Sequence, residues 1–234
     1  MFLDLHDRAS AGPAAVSEFS ELVAELPVAI PYGAVYLTGC FASPPGPRAV
    51  ALVVNDKGCA RHRSALRGLA RSLRGEGFAT LMVDVLAVDE QSSPEVAAAL
   101  RRNALLLARR VEAAREYAKA RPELAALPLV LLAPDGACGA GLLVAAVRRD
   151  IAAVVGCAEG ADEAGFALRL VRAPVLLAAA NGDQHAAEDG HETLAELGGV
   201  RELVILPGRS LGDPDCAAQF ARAAAAFAQK HLRD

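Results

Sequence analysis

The chain has 234 residues, 53% of them hydrophobic and 22% charged, with a formal net charge of -4 at pH 7. That apolar content excludes a disordered chain, and the acidic balance excludes the basic field that nucleic acid requires. With 4% aromatic residues and no Trp, exposed stacking platforms for sugars or single strands are excluded too.

The length suits one larger α/β domain or two small ones. Residues 1–20 read as a loosely attached N-terminal arm and 21–234 as a single domain, because no internal repeat, low-complexity linker or charge block divides them. The opening stretch carries acids early and lacks a continuous apolar run, unlike a secretory signal. No run of about 18 uncharged apolar residues occurs, so no membrane span or membrane partner is expected. The cysteines are Cys40, Cys59, Cys138, Cys157 and Cys216. An odd count, widely spaced and without C-x-x-C, is neither a disulfide framework nor a zinc site. Free thiols in a reducing, cytoplasmic setting are the expectation.

Taken in chain order, 26–31 and 34–41 are short β-prone segments around Tyr32-Gly33, a tight-turn signal. Ser43 to Pro47 holds three prolines and reads as a loop. AVALVVN (49–55) is a continuous apolar run, as a strand buried on both faces requires. Residues 61–77 place Leu66, Leu69, Ala70 and Leu73 on one helical face. FATLMVDVL (78–86) is a second buried strand, 94 to about 120 one long Ala/Leu/Arg helix, and LPLVLLA (127–133) a third strand. Then follow a helix over 140–148, a strand at 151–157, a strand at 173–180, a helix over 186–197, a strand at 201–206 and a final helix over 214–231. Strands alternating with helices imply parallel strands joined by right-handed crossovers. The expected fold is a three-layer α/β sandwich: a mostly parallel central sheet, helices on both faces, and the antiparallel N-terminal hairpin at one edge.

In such sheets ligands bind outside the carboxyl ends of the strands, so the loops after 54, 84, 133, 157, 180 and 206 are the places for a site. Pro134-Asp135-Gly136-Ala137-Cys138-Gly139-Ala140-Gly141 joins a strand to a helix through small residues, the composition of a nucleophile elbow. Centred on Cys138, the flanks are Gly136 and Ala140. Centred on Ala137, they are Asp135 and Gly139 and the nucleophile is gone; the register stays open. A glycine-rich packing turn has the same composition. In the loop after 180, Asp183 can orient an imidazole such as His185 or cap the helix that follows. The loop after 206 has no His. The loop after 54 carries Asp56, an awkward neighbour for an oxyanion, and leads to His62, which together with His185 lies at the rim by topology. The carboxylates and histidines show no metal-ligand spacing such as H-x-x-x-H, and no cofactor is indicated.

From about residue 28 to 232 the chain resembles the α/β-hydrolase fold, most closely its dienelactone-hydrolase-like branch. The resemblance rests on the order of strands and on RHRSALRGLARSLRGEGFATLMVDVL, GACGAGLLVAA, AAVVGCAEG, RAPVLLAAANGD and ELVILPG. It implies a triad of elbow nucleophile, acid and base. Asp183 falls on the acid, Cys138 or Ala137 on the nucleophile, Leu211 on the histidine, and Asn55-Asp56 on the family's His-Gly phrase. Leucine cannot accept a proton, and loss of the base removes most of the catalysis.

Three readings follow. The first is a pseudo-hydrolase that binds a small organic, ester- or lactone-like ligand or a partner. The second is a thiol ester or lactone hydrolase built from Cys138, Asp183 as orienter and a relocated His185 or His62. The third is a non-hydrolytic isomerase, cyclase or lyase acting through Asp183, Asp56 or Asp213. A homodimer through an edge strand or helix face stays open.

Overall fold

The computed structural model describes residues 23–232, with the expected arm at 1–20 outside that range. Eight strands form one sheet: β1 (Leu26–Tyr32), β2 (Val35–Ala42), β3 (Ala49–Asn55), β4 (Phe78–Asp84), β5 (Leu129–Ala133), β6 (Ile151–Cys157), β7 (Val175–Ala180) and β8 (Arg201–Leu206). Their spatial order is β1-β2-β4-β3-β5-β6-β7-β8. β1 and β2 pair antiparallel, β2 meets β4 antiparallel, and every later pairing is parallel. This is the three-layer arrangement anticipated from the alternation of elements.

The reason β3, β4 and β5 read as unbroken apolar runs is visible in their surroundings. Every residue of the three is buried, because helices cover both faces. Along β3 the pleat sends Val50, Leu52 and Val54 into one core and Ala49, Ala51 and Val53 into the other. The second core is closed by α1 (Ala60–Gly75), through Leu66, Leu69 and Leu73, and by the C-terminal helix Pro214–His231, through Phe220 and Ala224. Burying each such leucine contributes about 1.5–3 kcal/mol.

The long helix expected over 94–120 is two. α2 (Pro94–Arg101) stops, and α3 (Ala104–Lys119) starts afresh. Asn103 makes the break: its side-chain oxygen accepts the Leu106 N–H at 3.0 Å, the bond of an N-cap. Ala/Leu/Arg periodicity runs through this point unchanged, so composition alone does not reveal it. Beyond β5 lie α4 (Cys138–Val147), then two 3-10 turns over Ala161–Leu170 kinked at Gly165 (φ +52°), then α5 (Gln184–Glu196) and α6 (Pro214–His231). Helices α3 and α4 and the 3-10 turns line the first core, opposite α1 and α6. Among the described residues no helix is long and apolar enough to cross a membrane.

Candidate active site

Four loops at the carboxyl ends of the parallel strands converge. The turn after β5 is the strained one. Asp135 has φ +54°, the only positive φ at a non-glycine position among the described residues. The left-handed region crowds Cβ against the following carbonyl, and Asp is among the few residues that tolerate it. Two residues to either side stand Ala133 and Ala137, both fully buried. Strand and helix approach so closely here that a Cβ on Gly141 would meet the Ala133 Cβ at 2.9 Å. This is the geometry of a nucleophile elbow, centred on Asp135.

Both registers anticipated from the sequence are therefore displaced. Ala137 (φ -80°) and Cys138 (φ -59°) have ordinary right-handed backbone. Cys138 opens α4, fully buried, with its sulfur against β6 where a Gly156 Cβ would stand. Burial pushes its thiol up to about 12, with Asp162 adding to the effect. A thiol so disfavoured as thiolate is inert.

Asp135 is clamped. Its Oδ1 accepts from Lys57 Nζ at 2.8 Å, and its Oδ2 lies 3.1 Å from His62 Nε2. His62 stands in the first turn of α1 and Lys57 in the loop after β3. Asn55 fixes that loop: its Nδ2 donates to Asp84 Oδ1 at 2.5 Å while its Oδ1 accepts the Lys57 N–H at 3.2 Å. Arg63 holds Asp84 from the other side at 2.7 Å, and Arg101 Nε donates to the Asp56 carbonyl at 2.8 Å. Asp56 itself is buried beside the elbow. Its Oδ2 lies 3.0 Å from where a Gly136 Cβ would stand. An oxyanion bound to the Gly136 N–H would thus face a carboxylate, the wrong sign for that purpose.

The electrostatics follow from burial and mutual proximity. Burial, then the charge on Asp135, pushes the Asp56 carboxyl up to about 6, against the pull of Lys57 and Arg101. Burial lowers His62, aided by Lys57 and opposed by Asp135. Burial works against the Lys57 ammonium, but Asp135, with Glu159 and Asp56 behind it, leaves it above its ordinary value. Burial, then Asp135, holds the Cys157 thiol well above its usual range.

The other candidates make no hydrogen bond or ion pair with this cluster among the described residues. Asp183 Oδ1 accepts the Ala186 N–H at 3.1 Å and so caps α5. Asp213 caps α6 in the same way, through the Asp215 N–H at 3.0 Å. The His185 side chain is 91% exposed, with Glu188 4.0 Å away. No hydrogen bond or ion pair joins Cys138, Asp183 and His185 among the described residues. Asp135, Asp183 and Leu211 line one small cavity of about 50 Å³, with Cys157, Leu206 and Cys216 around it. Leu211 is itself buried, 4% exposed.

Asp135 and Lys57 are absent from the sequence-derived candidates. A signal for Asp135 existed, an Asp-Gly step directly after a buried strand with alanines two positions to either side. Nor did sequence spacing suggest a ligand set. In space, Asp56, His62 and Asp135 each bring one donor atom within 4.8 Å of the others.

The strand order and the strained elbow define an α/β-hydrolase fold, dienelactone-hydrolase-like in architecture. Dienelactone hydrolase from Anabaena variabilis superposes with a TM-score of 0.83 at 28% identity, covering 90% of this chain and 99% of that one. Est1E from Butyrivibrio proteoclasticus gives 0.72 at 13% identity, over 89% of this chain and 99% of the other. A dienelactone hydrolase-like promiscuous phosphotriesterase from metagenomic libraries gives 0.72 at 17%, over 89% and 98%. By sequence, two Mycobacterium tuberculosis proteins, provisionally named as phosphoribosyl transferases, are 31% identical over 206 residues. That match takes in 86% of this chain but 45% of theirs, so the chain spans less than half their length. No family model matches the chain.

Proposed function

We propose that this chain is a pseudo-hydrolase: it keeps the α/β-hydrolase scaffold, lacks acyl-transfer chemistry, and uses the strand-end cluster for binding. The observation that carries the reading is Asp135 at the elbow, held by Lys57 and close to His62, with Leu211, the residue on which the family resemblance puts the base, lining the same cavity. A carboxylate paired with the Lys57 ammonium is a poor acyl acceptor, and a leucine side chain takes no proton. The cavity supports the same reading. At about 50 Å³ it is far below the roughly 300–1,000 Å³ of ordinary ligand pockets. An ester- or lactone-like molecule needs the Arg209–Leu211 segment to move aside, whereas an ion or a fragment of a few atoms does not.

The thiol alternative has little to draw on, since Cys138 is buried with its sulfur against β6. The phosphoribosyl transferase name belongs to proteins more than twice the length of the matched segment and gives no ground for that activity here. The test is hydrolysis of short acyl esters and lactones by the purified chain. The expected result is no turnover that depends on Asp135 or Cys138. A rate abolished by Asp135→Asn or Cys138→Ala overturns the reading.

A further inference from the structure

We propose that Asp56, His62 and Asp135 together bind one divalent transition-metal ion of the zinc class. The three residues come from the loop after β3, the first turn of α1 and the elbow after β5, and each is 3% exposed. Each also has a buried polar atom without a hydrogen-bond partner: Asp56 Oδ1, His62 Nε2 and Asp135 Oδ2. The large majority of buried side-chain polar atoms are paired in folded proteins, and the other orphans among the described residues form no such group, so three from residues that meet in one place ask for a ligand.

The pair His62 Nε2 and Asp135 Oδ2 is the most telling. They stand 3.1 Å apart but are not aligned for an N–H to oxygen bond. Two donor atoms on one tetrahedral ion are separated by about 3.3 Å, given metal bonds of about 2.0–2.1 Å. Across the whole group the donor atoms lie within 4.8 Å. Drawing all three onto one ion thus takes side-chain rotations of roughly an ångström. One imidazole and two carboxylates suit a zinc-class ion better than calcium, which prefers an all-oxygen shell. Three protein ligands also leave a coordination position free, and the small cavity adjoins Asp135.

Lys57 is the competing cation. Its ammonium sits on Asp135 Oδ1, but its side chain is 37% exposed and the acidic Glu159 contributes to its surroundings. It balances charge in the absence of an ion and can turn outward when one binds.

This inference goes beyond the pseudo-hydrolase reading, and ester hydrolysis does not test it. The experiment is calorimetric titration of the chelator-stripped chain with Zn²⁺, with Co²⁺ absorption as a second readout. One ion per chain is expected, bound about tenfold more weakly or worse after Asp135→Asn or His62→Gln, with Co²⁺ bands lost. The double variant His185→Gln/His191→Gln, which removes exposed imidazoles, should bind as the parent does. Circular dichroism checks folding. If the ligand variants do not fold, Lys57→Met keeps all three ligands and should bind more tightly, by about tenfold. Absence of binding, binding unaffected by the ligand substitutions, binding lost with His185 and His191, or no gain in Lys57→Met overturns the proposal.

Discussion

Lys57 Nζ donates to Asp135 Oδ1 across 2.8 Å, tying the loop after β3 to the strained turn after β5. The bond makes the elbow a structural junction. Removing the ammonium leaves the Asp135 carboxylate buried with less to offset its charge. Lys57→Met should lower stability by about 1–3 kcal/mol, read from the denaturant midpoint. In the background of Asp135→Asn the same substitution should cost clearly less, because the charge it served is gone. Equal costs in both backgrounds would mean that the two side chains are not coupled.

The backbone at Asp135 makes a separate demand. At φ +54° a β-branched side chain is strained, whereas Asn and Gly are tolerated. Asp135→Val should therefore be less stable than Asp135→Asn by about 1–2 kcal/mol, although both remove the charge. Thermal melts of the two variants give the comparison, and indistinguishable values would place the strained turn elsewhere.

Thiol chemistry separates the cysteines. Cys59 is exposed and Cys138 is buried, its thiol pushed up to about 12. Iodoacetamide at pH 8, followed by peptide mass spectrometry, should label Cys59 early and Cys138 only after denaturation. Fast labelling of native Cys138 would restore the thiol-hydrolase reading.

In α3, buried Arg110 donates to both oxygens of Glu90 at 2.6 Å and to the Val85 carbonyl at 2.8 Å. The Arg110 hydrogen bonds hold the Glu90 carboxyl below its ordinary value of 4.5, against burial. The folded chain binds that proton less readily than the unfolded one. The stabilisation is fully present above the ordinary value and is lost as pH falls through the folded one. Glu90→Gln should cost about 1–3 kcal/mol at neutral pH, with the gap to the parent narrowing on acidification. A gap that is constant with pH would assign the cost to packing instead.

The sheet was legible because its central strands are buried on both faces and therefore write continuous apolar runs, as in AVALVVN and FATLMVD. The break at Asn103 was not, since one capping bond interrupts an unchanged pattern. Around the elbow, small residues run from Gly136 to Gly141 and offer several registers of equal composition. Only the backbone angle selects Asp135, which attracts no notice as a nucleophile in a pattern written for Ser or Cys. The partnership of Lys57, His62 and Asp135 depends on strands adjacent in space but about eighty positions apart in sequence, and no local spacing encodes it. Of the two roles the sequence left open for Asp183, the helix cap is the one that its hydrogen bond to the Ala186 N–H serves.

The most direct test of the central claim is steady-state hydrolysis of short-chain p-nitrophenyl esters and small lactones by the parent, Asp135→Asn and Cys138→Ala. With Asp135 held by Lys57 at the elbow and Leu211, which takes no proton, lining the adjoining cavity, all three should give the same background rate. A parental rate well above background that falls away in either variant would contradict the account.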